Sequence, residues 1–296
     1  MSKKECTIAI VGRPNVGKST LLNAILKQKL AIVSYKPQTT RNQIKGIFEN
    51  NNLKIVFIDT PGYHEPKNKL DQFLNSQVKS SFKQADIVLF LIDSTRTINE
   101  EDIKIAQLIK GYDVSKIIVI ATKNDSDKKI LSSDDLNQVL EIIKPIKTYT
   151  SFISSNSLQD INNLISMIHD IAPNQGNFTN ELIENDNFLI SEIVREQALL
   201  NLRQEVPHSI AVYVEQNKFD KENNQLIIDA TIVVEKESQK PIVIGKGGAT
   251  IKLIGTKARM ELLKIFDCKI RLNLFVKVEK DWRDNEQTLK SLGYYK

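Results

Sequence analysis

A doubly wound α/β domain followed by a smaller α+β domain is the fold class that this sequence predicts, and three observations predict it. Short apolar runs recur between residues 7 and 153 with helical stretches between them. A loop rich in glycine, ending in lysine, stands directly after the first run. Beyond residue 186 the rhythm changes to a helix, two alternating stretches and a second glycine loop. With 296 residues the chain exceeds one core of the commonest size, which also argues for two domains.

The apolar runs are TIAIV (7–11), KIVFI (54–58), IVLFLI (87–92), KIIVIA (116–121) and TYTSFI (148–153). Continuous rather than alternating apolar character suits strands buried on both faces, as in a mostly parallel sheet with helices on both sides. This domain is expected over 1–172. A stretch where Pro, Gly and Asn cluster makes 173–186 the expected linker. The second domain, 187–296, begins with Ile190, Ile193, Val194, Ala198 and Leu202 on one helical face, closed by 203–207. SIAVYVEQ and QLIIDATIVVE follow as antiparallel strands, then GKGG between two helices, the second spanning 249–266. CKIRLNLFVKV is the last strand, before a polar helical tail.

Composition narrows the function. The net charge of +5 is a weak signal spread over the chain, but residues 240–271 carry eight basic side chains against two acidic ones. The basic excess therefore surrounds the second glycine loop. Cys6 and Cys268 lack metal-ligand spacing and are expected as buried thiols of a reducing compartment. The longest apolar run is far short of the roughly 20 residues that span a bilayer.

GRPNVGKS, from Gly12 through Arg13, Pro14, Asn15, Val16, Gly17 and Lys18 to Ser19, fits G-x-x-x-x-G-K-[ST] between a predicted strand and the helix that Thr20 begins. Glycines let successive N–H groups turn inward around a phosphate chain, and the helix N-terminus adds its partial positive charge. Lys18 reaches the β and γ phosphates, and the Ser19 hydroxyl suits Mg2+. FIDTPG places Asp59 where its carboxylate holds Mg2+ through water, with Thr60 and Pro61 leading to Gly62, whose N–H faces the γ phosphate. KPQTTR (36–41) supplies a hydroxyl that closes over Mg2+ while the γ phosphate is present, Thr40 being preferred to Thr39.

Nucleotide identity falls to TKND: Thr122, Lys123, Asn124 and Asp125. Asp125 accepts from guanine N1–H and its exocyclic amine, a donor pair that adenine lacks, whereas Lys123 covers the base. A carboxylate left unpaired discriminates by about 10⁴ or more. Ser154, Ser155 and Asn156 are placed to offer backbone contacts to the guanine oxygen.

These motifs, in their order and spacing, resemble the translation-factor-related GTPases. GRPNVGKSTLLN, QTTR, DTPG, RQEVPHSIAV and IGKGGATIKLIGTKAR together resemble the Era family, P-loop GTPases with a C-terminal type II KH domain, over essentially the whole chain. The resemblance implies GTP hydrolysis to GDP, Mg2+, and binding of the 3′ end of small-subunit ribosomal RNA during assembly of the small ribosomal subunit. Catalytic roles would fall to Lys18, Asn15, Thr40 and Gly62, and metal contacts to Ser19, Thr40 and Asp59. Similar GTPases with Asn at position 15 bind K+, while a plain capping role for Asn15 is equally open.

The departures are as informative. Thr122 stands where the family usually has Asn, and Ser155 where it usually has Ala. Losing one hydrogen bond at Thr122 costs roughly 0.5–1.5 kcal/mol, which softens affinity by about tenfold but leaves guanine specificity to Asp125. Tyr63 occupies the place of the water-orienting glutamine of Ras-type enzymes, so slow hydrolysis is expected without a partner or K+. His64 is expected to be exposed, and His169 and His208 to be structural.

GKGG cannot be aligned with the phosphate-cradle spacing, but it fits the G-x-x-G of a KH domain. There the glycines let a nucleic-acid backbone approach the peptide. The expected RNA contacts are Ile244, Gly245, Lys246, Gly247, Gly248, Ile251 and Lys252, with Ile242 in the groove wall. A helix C-cap and turn would explain one glycine but not the basic surroundings. The expected protein is a cytoplasmic monomer with no DNA partner. A competing reading has a signalling GTPase in peripheral contact with acidic membrane lipid, but no lipidation motif supports it.

Overall fold

Phosphate-binding loops sit at the carboxyl ends of parallel strands, so strand order is what positions the site. The computed structural model describes residues 3–294 apart from 35, 37, 113 and 178–185. Most of the expected linker and Pro37 therefore lie outside the described residues. The chain forms two units, Met1–Val33 with Thr40–Lys67 and Asp71–Leu182, and Ser34–Thr39 with Asn68–Leu70 and Ile183–Lys296.

The first unit holds a six-stranded sheet of β1 (Lys4–Gly12), β2 (Ile44–Glu49), β3 (Leu53–Asp59), β4 (Ile87–Asp93), β5 (Lys116–Thr122) and β6 (Lys147–Phe152). Their order is β2-β3-β1-β4-β5-β6, parallel throughout except for β2. β1, β4 and β5 are buried along almost their whole length, which is why they read as unbroken apolar runs. β2 was not among the expected strands. Its IKGIFE is short and half-buried, and as an antiparallel edge it needs no continuous apolar run. β6 is the opposite edge, and Phe152 is exposed there, so the expectation of burial on both faces fails for it.

Helices α1 (Lys18–Leu26), α2 (Lys69–Gln84), α3 (Glu100–Lys110), α4 (Ser133–Ile143) and α5 (Leu158–Ile171) connect the strands. The starts of α3, α4 and α5 are capped by the side chains of Asn99, Ser132 and Ser157. α1 differs: its N-cap is Gly17, in the left-handed conformation, and no side chain caps its first N–H groups. Those donors remain for a ligand.

The second unit contains α6 (Asp186–Asn201), β7 (Ala211–Asp220), β8 (Gln225–Val234), α7 (Lys240–Ile244), α8 (Ala249–Leu262), β9 (Lys269–Val278) and α9 (Glu286–Ser291). β8 pairs antiparallel with β7 and parallel with β9. The order of elements is the expected one, although α8 stops four residues early. α6 is more than amphipathic, because Glu192, Arg195, Glu196 and Gln197 are buried along with its apolar face. Arg195 pairs with Glu192 and donates to the main-chain carbonyls of Gln38 and Thr39, residues of the same unit.

Two further expectations need correction. Cys6 is buried, and desolvation pushes its thiol up to about 12, but Cys268 is only half-buried. The polar tail also hides an anchor: Trp282 is fully buried, donates to the Ser209 carbonyl at 2.9 Å and stacks on Tyr294. Trp282→Ala is expected to destabilise the second unit by about 3–5 kcal/mol. Trp282→Phe should cost nearer 1 kcal/mol, mainly the lost hydrogen bond. Urea unfolding followed by far-ultraviolet circular dichroism would separate the two.

Candidate functional site

The register of the central strands brings the motifs together. β1 pairs Ile10 with Asp59 on one side and Gly12 with Leu91 on the other, so the loop after β1 opens between the ends of β3 and β4. The strand order reverses there, the usual place for a ligand crevice.

Lys18 is buried, and its ammonium donates to the carbonyls of Gly12 and Arg13 at 3.1 and 2.8 Å. Ser19 Oγ donates to Asp59 Oδ2 at 2.6 Å and lies 2.9 Å from Thr40 Oγ1. Thr40 Oγ1 is 3.5 Å from the same carboxylate oxygen. Thr39 instead turns back to the Lys36 carbonyl. Three oxygen-bearing side chains thus converge: Ser19, Thr40 and Asp59. Asp59 is fully buried and its Oδ1 has no hydrogen-bond partner, so a hard cation fits this set. Burial pushes Asp59 up to about 6, with Lys18 and the two hydroxyls pulling the other way, and burial brings Lys18 down to about 8.

Gly62 approaches the phosphate loop so closely that a Cβ there would lie 2.7 Å from Pro14 N and 2.9 Å from its Cα. Only glycine permits that contact. Thr60 is tied to the Ile10 carbonyl, and Pro61 is buried. Tyr63 is half-buried against the core of α2, α3, β4 and β5. His64 departs from expectation: it is half-buried with Nε2 3.6 Å from Asp71, and its carbonyl accepts from Asn75. Asn15 adopts a left-handed backbone with φ of 65°.

At the other end of the crevice, Thr122 donates to the carbonyls of Val16 and Ile92 at 2.7 and 3.1 Å. Its hydroxyl therefore ties β5 to the phosphate loop, leaving no donor for the base. Asn156 Nδ2 donates to Asp125 Oδ2 at 2.9 Å, which holds this carboxyl below its usual range. Asn124 N donates to the Ile153 carbonyl, and Ser154 N to Asp160. Ser155 is half-buried in the same loop. Sequence reasoning passed over Asp93, which is fully buried at the end of β4 and bonded to Lys123 Nζ at 2.6 Å. Its signal was available, since IVLFLID ends as KIVFID does.

The second loop lies elsewhere, in the second unit. Gly245 caps α7 with φ of 76°, and a Cβ there would meet Thr250 N at 2.7 Å, so the turn reading holds for this glycine. It does not cover the next two. Gly247 and Gly248 also have positive φ but face open space, and α8 starts at Gly248 without a side-chain cap. Lys246 and Lys252 are exposed, Ile244 and Ile251 half-buried, and Ile242 exposed.

The model of the 50S ribosome-binding GTPases matches residues 7–123, and that of the KH domain matches 205–283. GTPase Era of Ureaplasma parvum is 43% identical over 99% of both chains. The chain belongs to the Era family. Its relatives include GTPase Era of Alkaliphilus metalliredigens, 40% identical over 99% of this chain and all of that one. Two solved Era structures, each 36% identical, cover 99% of this chain and all of their own. An Aquifex aeolicus variant bound to GDP and AlF4− has a TM-score of 0.88, and Era in complex with MgGDPNP and nucleotides 1506–1542 of 16S ribosomal RNA has 0.89. As a member of this family the chain is a GTPase that uses GTP, GDP and Mg2+, built from a P-loop domain and a KH domain.

Two tests follow from the geometry. Thr122→Val removes both hydroxyl bonds and is expected to weaken GDP binding by about tenfold while preference over ADP persists. The role expected of Asp59, holding Mg2+ through water, needs its carboxylate ionised. Its raised carboxyl pKa means that Mg2+ affinity should fall as the pH drops through about 6, whereas an ordinary aspartate would hold to about 4. Calorimetric titration of Mg2+ into the GDP complex at several pH values reads this directly, and a flat profile between about 5 and 7 would contradict it.

Proposed function

We propose that this chain is a GTP-driven switch that binds small-subunit ribosomal RNA near its 3′ end and assists assembly of the small ribosomal subunit in the cytoplasm. The observation that carries the reading is the loop 245–248, where two open, left-handed glycines and an exposed lysine precede an uncapped helix start. A phosphodiester backbone can approach Gly247 and Gly248 without meeting a side chain, and Lys246 and Lys252 supply positive charge. Ile244 and Ile251 give the adjoining groove an apolar wall for bases. The solved Era complex with nucleotides 1506–1542 of 16S ribosomal RNA supports this choice of RNA.

In hydrolysis, Lys18 neutralises charge on the β and γ phosphates and the Gly62 N–H orients the γ phosphate. Mg2+, when bound, offsets charge on the phosphate oxygens, with Ser19, Thr40 and Asp59 holding it. Tyr63, packed against the core, cannot position water as a glutamine does, so the rate is slow without a partner. Asn15 either binds K+ or shapes the loop. Ordering of 36–41 around the γ phosphate is the element through which nucleotide state would reach the RNA-binding unit, a coupling that membership of the family implies.

Acidic lipid would need the basic residues but not the open glycines, and among the described residues no helix is long and apolar enough to cross a membrane. Replacing Lys246 and Lys252 by Glu is expected to abolish binding of a 3′-terminal 16S fragment yet spare GTP hydrolysis. Crosslinking in cells with sequencing of bound RNA should enrich the small-subunit 3′ end, and enrichment elsewhere would defeat the proposal. Faster hydrolysis in K+ than in Na+ buffer would assign Asn15 to the ion, and equal rates to the loop.

A further inference from the structure

Asp102, in the first turn of α3, is a buried carboxylate that the nucleotide chemistry above leaves unused. Its side chain is fully buried, and Oδ1 lies 3.0 Å from Nε of Arg13, whose side chain is 7% exposed. Arg13 is the second residue of the phosphate loop. Its carbonyl accepts from Lys18, and the following residue, Pro14, is the surface on which Gly62 rests.

We propose that Asp102 is a positioning residue for nucleotide binding, which holds the first half of the phosphate loop in place through Arg13. The inference rests on residues 12–19 being the phosphate cradle.

Four observations carry it. A buried guanidinium needs a counter-charge, and Asp102 is the acid that the structure places against Arg13. The carboxylate is itself fixed, because its Oδ2 accepts from the N-cap Asn99 N at 3.2 Å while Asn99 Oδ1 accepts from Glu101 N and Asp102 N. That reciprocal cap makes the start of α3 a rigid base. The same helix also reaches the segment after β3, since Ile105, Ala106 and Ile109 belong to the core on which Tyr63 packs. One helix thus carries the carboxylate that faces Arg13 and part of the core on which Tyr63 packs. The pair also differs from an ordinary structural salt bridge in its alignment: Nε and Nη2 of Arg13 and Oδ1 of Asp102 are buried without a hydrogen-bonded partner. Arg13 is therefore held by charge and packing, which restrains the loop's position without clamping it in one geometry.

Substitutions separate positioning from stability. Asp102→Asn keeps an acceptor for the α3 cap but removes the charge facing Arg13. Asn99→Ala weakens the cap and leaves the ion pair. The double variant Arg13→Met with Asp102→Leu replaces the pair by apolar volume, a change that often leaves stability intact. Fluorescent GDP titration and thermal unfolding would be measured on each full-length variant. Asp102→Asn is expected to weaken GDP about tenfold, the loss of roughly one well-placed contact, with the GDP-to-ADP preference unchanged. The double variant should recover thermal stability but stay weak for GDP. Asn99→Ala should lose stability but weaken GDP much less than Asp102→Asn, because the charge still faces Arg13 and the N–H of residue 99 still holds the carboxylate.

The proposal is overturned if GDP affinity returns along with stability in the double variant, if Asn99→Ala weakens GDP as much as Asp102→Asn, or if Asp102→Asn binds as wild type does. Wild-type protein that bound no GDP would instead overturn the reading of the phosphate loop itself.

Discussion

A carboxylate and an ammonium buried within reach of each other's charge, Asp59 and Lys18, set the terms for the first unit. Desolvation disfavours the charged form of each, which raises one pKa and lowers the other. Such a pair is tolerable only where hydrogen bonds surround it and a ligand of both charges completes it. The β1–β3 register sets Asp59 beside Ile10, two residues before the loop that leads to Lys18; Ser19 and Thr40 supply hydroxyls, and a bound nucleotide with its metal would bring an anion and a cation. Motifs far apart in the chain are therefore answers to one desolvation problem.

The residues expected to read the base make weaker, more exposed contacts. Asp125 is solvent-facing and oriented by Asn156, and Lys123 leans on the buried Asp93. Thr122 shows how the two ends communicate: its hydroxyl reaches the Val16 carbonyl, so the end of β5 is stitched to the phosphate loop whatever the base does. A hydroxyl can do half of an amide's work, and here the half retained is the structural one.

Legibility followed physical locality. GRPNVGKS, DTPG and TKND were readable because backbone conformation and strand ends dictate them over a few residues. β1, β4 and β5 were readable because burial on both faces removes every polar alternation. β2 and β6 were not, since edge strands face solvent and need no such run. Asp102 and Arg13 lie 89 positions apart, and nothing in either neighbourhood announces the other. Trp282 sat in a tail whose composition is polar, so its burial depends on partners supplied by the rest of the unit. His64 reads as a solvent residue in the sequence because its contacts with Asp71 and Asn75 arise only after α2 folds beside it.

Gly17 and Gly248 each open a helix without a side-chain cap, and a Cβ at either would meet nothing within 4 Å. Their positive φ, 99° and 79°, strains any side chain, so the residue that leaves each helix uncapped also leaves its backbone open. A start shaped for robustness alone would carry serine or aspartate on extended backbone. Both starts instead forgo about 1 kcal/mol of capping and keep their first donors bare.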